Sequence, residues 1–355
     1  MQPDHLFSPA QYQADEQRRQ NRKDHPPVSI MDLLEAYLVE AQCKPATAKA
    51  WRYCLRDFVG YLGHDDAAQV TPHHVVGWKE HLAAADSDGV PKRGARTIRD
   101  KYLASAKAVF RWAAENHKIK SNPTSNITVK VRKAAQLRER GLTDDEAALI
   151  LTASLAYGNP SPSDRPSFAR RWLPWLCAYT GARVGEVAQL RREDVFQDKG
   201  IWCIRITPEA GPQKTDKAWA VPLHAHLVAQ GFVQAVGIEK GHIFFDPAKH
   251  RGGSLGNPQS KKVAERLAKW VRSTGVDDPA VQPNHGWRHR FKTQARIHKM
   301  DKEARDAIQG HSSGTEGEKY GDQPIITLVR ALKKLPPYRI MPDGRTVTAP
   351  TPPKR

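Results

Sequence analysis

The stretch YTGARVGEVAQLRREDV, residues 179–195, contains the predicted end of one helix and the predicted start of the next in the second half of the sequence. Gly181 follows a Trp-rich helical pattern and predicts its end, because glycine readily adopts the left-handed conformation of a helix C-terminus. A new helix is expected to begin directly afterwards, with Arg183 at its entry. Helix N-termini favour anions, and an arginine can donate two parallel hydrogen bonds to a phosphate. Taken alone, however, the stretch is also compatible with an ordinary surface arginine.

The bulk composition favours a nucleic-acid-binding protein with two domains. The chain has 355 residues, of which 39% are hydrophobic, so it can bury sizeable cores. Its 56 Lys and Arg against 38 Asp and Glu give a formal net charge of +18, and a chain this basic most often binds a polyanion. The alternative is a merely cationic surface.

Cysteine usage and hydropathy indicate a cytoplasmic protein, and the predicted binding to nucleic acid adds an association with the nucleoid. The four cysteines are scattered and form no C-x-x-C pair, which argues against a disulfide framework or a zinc site. No apolar run approaches the roughly 18 residues of a membrane span, and the N-terminus lacks the apolar segment of a signal peptide. No membrane partner is therefore expected.

Residues 29–130 are predicted to form an all-α domain of four helices, between a polar arm (1–28) and a linker (131–142). Ser29 and Thr71 read as helix N-caps, and Gly63 reads as a helix stop. A cluster of cations surrounds the entry and exposed face of the fourth helix, where it is either a solvated face or a surface that contacts DNA phosphates. Its members are Lys92, Arg93, Arg96, Arg99, Lys101 and Lys107.

Residues 143–335 are predicted to form a second, mixed α+β domain that is mainly helical and carries a small antiparallel sheet. A capping box begins at Thr143, and strand-like alternation follows at 201–207 and 218–223, with a further short strand indicated at 242–246. The helix near 325–335 is expected to bury Ile325, Ile326, Val329 and Leu332, either within its own subunit or against a neighbouring protomer. A Pro-rich tail, 336–355, is expected to be unfolded.

Three further motifs contain residues that could take part in catalysis or binding. Lys214 and Lys217 lie in the turn-rich segment between the two predicted strands. In NHGWRHRFKTQA (284–295), His285, Arg288 and His289 share one helical face. A His-x-x-x-His pair suggests a metal, but a zinc hydrolase would carry Glu after the first His, where this chain has Gly286. No metal or other cofactor is therefore expected.

The last motif, IQGHSSGTEGEKYGD (308–322), places His311 at a helix end and Tyr320 nine residues later, in surroundings unlike a core. The four motifs together supply two Arg, two His, one Lys and one Tyr. That set suits attack by a phenol on a phosphodiester. Arginine and histidine donors would stabilise the charged phosphate, the tyrosine would form a covalent phosphotyrosine, and a lysine would protonate the leaving 5′-oxygen.

The four motifs, in this order, resemble those of the tyrosine recombinase (phage integrase) family, and the resemblance covers residues 29 to about 335. It implies that Arg183, His285, Arg288 and His311 are catalytic, with Glu186 and His289 in support. It further implies that Tyr320 is the nucleophile and that Lys214 is the general acid, with Lys217 as its rival. Trp287 departs from the family's usual leucine and is expected to be a tolerated packing change.

The family resemblance implies a core-binding domain and a catalytic domain that clamp duplex DNA. It implies cleavage and rejoining at specific sites by a tetramer, for integration or excision of a mobile element, with accessory DNA-bending proteins as optional partners. Two alternatives remain open at this point. One is a non-catalytic DNA-binding relative, and the other is an activity like that of type IB topoisomerases.

Overall fold

Two compact units, Met1–Ala134 and Ala135–Arg355, make up the chain in a computed structural model. The structure describes residues 26–87, 89–132, 135–213, 216–249, 257–311, 323–340 and 346–347. The boundary falls inside the segment 131–142 that the sequence indicates as a linker, so residues 135–142 belong to the second unit. No described helix is long and apolar enough to cross a membrane.

The first unit is built from helices that bury one apolar face each. They are α1 (Ile30–Glu40), α2 (Pro45–Leu62), α3 (Pro72–Ala83) and α4 (Ala104–Glu115). Ser29 and Thr71 cap α1 and α3 through their side chains, and Gly63 ends α2 in the left-handed conformation, as predicted. The described part of this unit contains no named strand, which agrees with the all-α prediction.

The fourth helix is less regular than its sequence pattern predicts. An α-helical turn at Ala95–Thr97 passes into a π-helical segment at Ile98–Leu103 before α4 begins. The π segment buries Ile98, Tyr102 and Leu103, and the extra residue per turn adjusts which side chains face the core. Periodicity at 3.6 residues does not reveal such an insertion.

The second unit combines nine helices with two small sheets among its described residues. Its first helices are α5 (Asp144–Leu155), α6 (Arg165–Thr180) and α7 (Val184–Val187). The middle of the unit contains α8 (Ala225–Ala229), α9 (Phe232–Ala235) and α10 (Gln259–Ser273). The last helices are α11 (Gly286–Ile297), α12 (Lys302–Ile308) and α13 (Ile325–Leu332).

Three antiparallel strands, β1 (Val195–Asp198), β2 (Ile201–Ile206) and β3 (Trp219–Pro222), form the larger sheet in the order β1-β2-β3. Cys203 pairs with Phe196 on one side and with Pro222 on the other. The predicted strands at 201–207 and 218–223 are confirmed as β2 and β3. The sequence analysis missed β1, which contains only four residues and follows a turn rich in charged side chains.

Three predictions about the second unit need correction. The segment 242–246 is not a strand, because it forms only one isolated bridge, between Arg191 and His242, and its apolar residues enter the core from a loop. The tail is not wholly unfolded, since β4 (Arg339–Ile340) and β5 (Thr346–Val347) pair. Finally, α13 packs against α12 and β3 of its own unit and buries Leu328, Ala331 and Leu332, while Ile326 is 48% exposed.

Candidate active site

The first functional side chain, Arg183, lies directly after α6. Gly181 ends that helix with a φ of 60°, and a Cβ at this position would lie 2.5 Å from the Gln309 side chain and 2.8 Å from Phe291. Glycine is therefore required here both for its backbone conformation and for space. The tight turn places Arg183 at the N-cap of α7, where its Nη1 donates to Glu186 Oε1 at 2.9 Å. Glu186 is buried and also accepts the backbone N–H of Arg183, so it holds this arginine at both ends.

Helix α11 carries the second group. His285 occupies its N-cap, Arg288 follows on the same face, and the rings of His285 and His289 meet edge-on with centroids 5.0 Å apart. Trp287 is 2% exposed and packs in the core, as expected for the position where the family has leucine. Among the described residues, no three His, Cys, Asp or Glu side chains are grouped closely enough to hold a metal ion.

The third group lies at the end of α12. Gly310 adopts a φ of 61°, and a Cβ there would lie 2.3 Å from the Trp219 ring of β3, so the helix end and the strand are in direct contact. The backbone N–H of His311 donates to the carbonyl of Asp306 at 2.9 Å. The imidazole Nδ1 lies 3.7 Å from the Asp306 carboxylate. His311 is thus positioned at the helix end by its backbone, with its ring beside the Asp306 carboxylate.

Arg288 joins these groups physically. Its Nη1 donates to the carbonyl of Gly181 at 2.8 Å and to the carbonyl of Gln309 at 2.7 Å. Gly181 is two residues before Arg183, and Gln309 is two residues before His311, so one guanidinium spans the first and last motifs. In return, the Gln309 side chain donates to the carbonyl of Arg288 at 3.0 Å. The Nη2 of Arg288 is buried and has no hydrogen-bond partner among the described residues.

The electrostatics of the site are dominated by cations. Burial, followed by the nearby charge of Arg183, lowers the pKa of Arg288 to about 10. Burial is also the largest cause that lowers the pKa of His311 to about 4, followed by the charges of Arg288 and Lys292, while Asp306 opposes the shift. Burial is the largest cause that lowers the pKa values of His285 and His289; His289 and Arg288 follow for His285, and Arg140 and Arg288 follow for His289. These histidines are therefore neutral in the free protein at pH 7.

The remaining predicted residues are distributed as follows. Lys214 and Tyr320 lie outside the described residues, whereas Lys217 is described and is exposed. Five of the six cations predicted to contact DNA are exposed in the first unit, and Lys107 is partly buried. Arg93 donates to the hydroxyls of Tyr102 and Tyr53, and Arg99 forms an ion pair with Asp100 at 2.6 Å.

Two cations near the site, Arg140 and Lys292, were missed by the sequence analysis. The charge of Arg140 lowers the pKa of His285 and His289, and the charge of Lys292 lowers the pKa of His289 and His311. Lys292 follows Arg288 by four residues on α11, so helical spacing would have found it. Arg140 falls in the presumed linker, and only the folded structure reveals its proximity.

The chain is similar in sequence to two proteins named as tyrosine recombinases. No protein-family model matches the chain. A Pseudomonas syringae protein assigned as tyrosine recombinase XerC is 25% identical over 213 residues, which are 57% of this chain and 42% of that protein. Tyrosine recombinase XerA of Thermococcus kodakarensis is 21% identical over 309 residues, 87% of this chain and 95% of the relative. The match thus spans less than half the length of the first relative and nearly all of the second.

The fold is similar to that of a solved lambda integrase. The structure of a lambda integrase tetramer bound to a Holliday junction aligns with a TM-score of 0.56 and 17% identity, and covers 91% of this chain and 86% of that one. At this identity the alignment speaks for the fold, which is mainly helical with a small three-stranded antiparallel sheet. The chain is therefore similar to tyrosine recombinases in sequence and to lambda integrase in fold, and its four motifs follow the order of that family.

Proposed function

We propose that this protein is a site-specific DNA recombinase that cleaves and rejoins duplex DNA through a covalent 3′-phosphotyrosine intermediate. In this proposal the enzyme needs no metal and integrates or excises a mobile element. The arginine and histidine side chains of the site take the role that metal ions have in other nucleases, namely to neutralise the charge of the reacting phosphate.

The observation that carries the proposal is the buried, unpaired Nη2 of Arg288 together with the cation and histidines that surround it. A buried guanidinium N–H without an acceptor is costly in a folded protein, and its cost is relieved when a ligand supplies an acceptor. Two backbone carbonyls hold the other nitrogen, so the side chain is rigid before any ligand arrives. The neighbouring charge is positive, which selects an anion. A non-bridging oxygen of a phosphodiester fits these requirements.

The other described groups have complementary roles in this scheme. Arg183 is fixed by Glu186 and binds the same phosphate from the start of α7. His285 and His311, neutral before DNA binds, donate or accept protons at the phosphate oxygens as charge develops. His289 contacts His285 edge-on and supports its ring.

Tyr320 and Lys214 complete the proposed chemistry. The Tyr320 hydroxyl gives its proton to a neutral histidine of the site as its oxygen attacks phosphorus, the P–O5′ bond breaks, and the tyrosine becomes joined to the 3′-phosphate. Lys214 gives its proton to the leaving 5′-oxygen. Religation reverses these steps when a 5′-hydroxyl from the same or another strand attacks the phosphotyrosine.

The first unit is proposed to bind DNA through the basic face that begins at Lys92. We further propose assembly into a tetramer on paired sites, a state in which the lambda integrase structure was solved. Phosphate contacts by this unit would make its affinity strongly dependent on salt.

The central test uses nicked suicide substrates drawn from the DNA that flanks the gene. Wild-type protein is expected to become covalently attached to a 3′-phosphate in the presence of EDTA, and the adduct should survive boiling in detergent. Tyr320→Phe should form no adduct while it still binds the duplex. An adduct formed by Tyr320→Phe would show that another residue is the nucleophile, and EDTA sensitivity would refute the metal-free scheme.

The general acid is tested with a substrate that has sulfur in place of the leaving 5′-oxygen, because a thiolate leaves without protonation. Lys214→Ala should lose cleavage of the normal substrate and regain it with the sulfur substrate. Lys217→Ala is the matched control and should cleave both. The reverse pattern would assign the proton to Lys217.

Experiments with the same protein and DNA also distinguish the two alternative functions, a non-catalytic DNA-binding protein and a topoisomerase-like enzyme. Binding without any adduct on a cleavable site would indicate a non-catalytic relative. Relaxation of supercoiled plasmid by the monomer, without site preference, would indicate a topoisomerase-like activity.

A further inference from the structure

A short strap, residues 138–142, is fixed beside the candidate active site. Arg138 donates to both carboxylate oxygens of Glu146 at 2.7 and 2.8 Å and to Asp278 at 2.8 Å. Glu146 also belongs to the capping box of α5, so the ion network is tied to the start of that helix. These bonds raise the pKa of Arg138 and anchor the first end of the strap to the second unit.

The other end of the strap is held against α11. The backbone N–H of Leu142 donates to the carbonyl of Gly286 at 3.4 Å, and Arg290 Nη1 donates to the carbonyl of Leu142 at 3.1 Å. A Cβ on Gly141 would lie 3.2 Å from the backbone nitrogen of Arg290 and 3.5 Å from the carbonyl carbon of His289. The strap therefore runs in close contact with the turn of α11 that bears His289.

Arg140 lies between the two anchored ends and is exposed, although the strap around it is fixed. The strap contacts α11 at Gly141, one residue away, and Arg140 is close enough to His285 and His289 for its charge to act on both. Lys292 lies one turn along α11 from His289. Two cations thus border His289, and no ion pair of either is found among the described residues; the nearby Glu139 is exposed.

We propose that Arg140 and Lys292 form a second phosphate subsite, which binds a DNA backbone phosphate next to the one engaged by Arg183 and Arg288. The charges of Arg140 and Lys292 both act on His289, and an anion bound beside this ring would reduce the repulsion among the cations of the site. Consecutive phosphates of one DNA strand supply anions at regular spacing. The inference rests on the function proposed above, and it assigns to the strap the task of aligning the strand across the site.

The test measures DNA affinity over a series of salt concentrations with a 30-base-pair duplex of arbitrary sequence, because phosphate contacts do not require the recombination site. The slope of log K against log salt falls by about 0.9 for each lost phosphate contact. Arg140→Gln and Lys292→Gln are therefore each expected to lower the slope by about one. Lys333→Gln, an exposed lysine of the second unit with the same charge change, is the matched control and should keep the wild-type slope.

A conservative variant separates charge from packing. Arg140→Lys keeps the charge and should keep most of the slope, whereas loss of slope in both Arg140 variants with unchanged unfolding curves would overturn a simple charge contact. Wild-type slopes in Arg140→Gln and Lys292→Gln, or an equal fall in Lys333→Gln, would also overturn the proposal.

An independent readout uses the free protein. His285 is surrounded by His289, Arg288, Arg183 and Arg140, and His289 by Arg140, Arg288, Lys292 and Glu139. Removing the Arg140 charge should raise the titration midpoints of both imidazoles in NMR spectra, and unmoved midpoints would place Arg140 away from the site. The slopes do not depend on cleavage, so absence of the covalent adduct would refute the enzyme function and leave the subsite to its own test.

Discussion

Two arginines of the second unit are buried to nearly the same extent and have very different surroundings. Arg288 is 5% exposed and Arg171 is 4% exposed. Burial lowers the pKa of each to about 10, and each has one terminal nitrogen without a hydrogen-bond partner among the described residues. Neither forms an ion pair with a described carboxylate. By these measures the two side chains are equivalent.

Their neighbours differ. Arg171 lies over the ring of Trp172, 3.9 Å from its centroid, and donates to the Gly158 carbonyl and the Gln230 side chain within the core. Arg288 instead lies among Arg183 and histidines that come from separate motifs. A buried, unpaired arginine therefore does not by itself identify a site. The convergence of further cations and proton carriers around it does.

The largest expected difference between the two arginines is in the rate of DNA cleavage. Arg288→Ala removes a rigid donor to the transition state, and such a loss costs roughly 10²–10³ in rate. Single-turnover adduct formation on the suicide substrate measures it, at protein concentrations that saturate the DNA. Arg171→Ala should keep the wild-type rate per folded molecule. Equal losses in the two variants would mean that Arg288 acts only through the fold.

A second effect appears in stability. Arg171→Ala removes the cation that packs on Trp172 and leaves the Gly158 carbonyl without its donor, so we expect a loss of about 3 kcal/mol in the free energy of unfolding. Urea unfolding followed by fluorescence measures this loss. An unchanged midpoint would show that the buried charge costs as much as its contacts contribute, which is known for some buried ions.

Local sequence signals predicted much of this arrangement. Helix ends were predictable because capping is local chemistry, as at Thr143 and Gly181, whose conformations agree with expectation. The four motifs likewise predicted Arg183, His285, Arg288 and His311 as site residues, because each motif is a short stretch of sequence. Local patterns do not contain long-range geometry, and so they gave neither the strap beside His289 nor the π-helical segment at Ile98–Leu103.

Each of the two arginines lies near a histidine whose lowered pKa makes the stability of the protein depend on pH. The pKa of His311 is about 4 in the folded protein, against 6.5 ordinarily, so the unfolded chain binds more protons between these values. The contribution of His311 to the free energy of unfolding is therefore highest above pH 6.5 and falls as the pH drops toward 4. We expect His311 to account for a loss of about 2 kcal/mol over this range after allowance for solvent screening. The charged groups that face His311 are Arg288, Lys292, Arg183 and Asp306.

Urea unfolding at pH 7, 5.5 and 4.5 should therefore show a smaller pH slope in His311→Gln than in wild type. Part of the slope will remain, because the pKa values of other partly buried histidines, such as His226, are lowered too. In NMR titrations, Arg288→Ala should raise the midpoint of His311, and Arg171→Ala should raise that of His226. A His311 midpoint near 6.5 in wild type would contradict the half-buried position of this ring beside Arg288.

A third buried arginine, Arg290, provides the smallest expected effect. Unlike Arg288 and Arg171 it has an acidic partner, Asp144 at 2.7 Å, and its Nε donates to the Tyr338 hydroxyl at 3.2 Å. The backbone N–H of Tyr338 donates to Tyr179 OH at 2.9 Å, so the tail is joined to α6 and α11.

Tyr338→Phe removes only the acceptor for Arg290 and should cost about 1 kcal/mol in urea unfolding, because the ion pair remains. Tyr338→Ala also removes the ring that contacts Trp175, Tyr179 and Trp287, and should cost clearly more. Equal costs for the two variants would mean that the hydroxyl, and not the ring, holds the tail in place, and that Arg290 depends on Tyr338 as much as on Asp144.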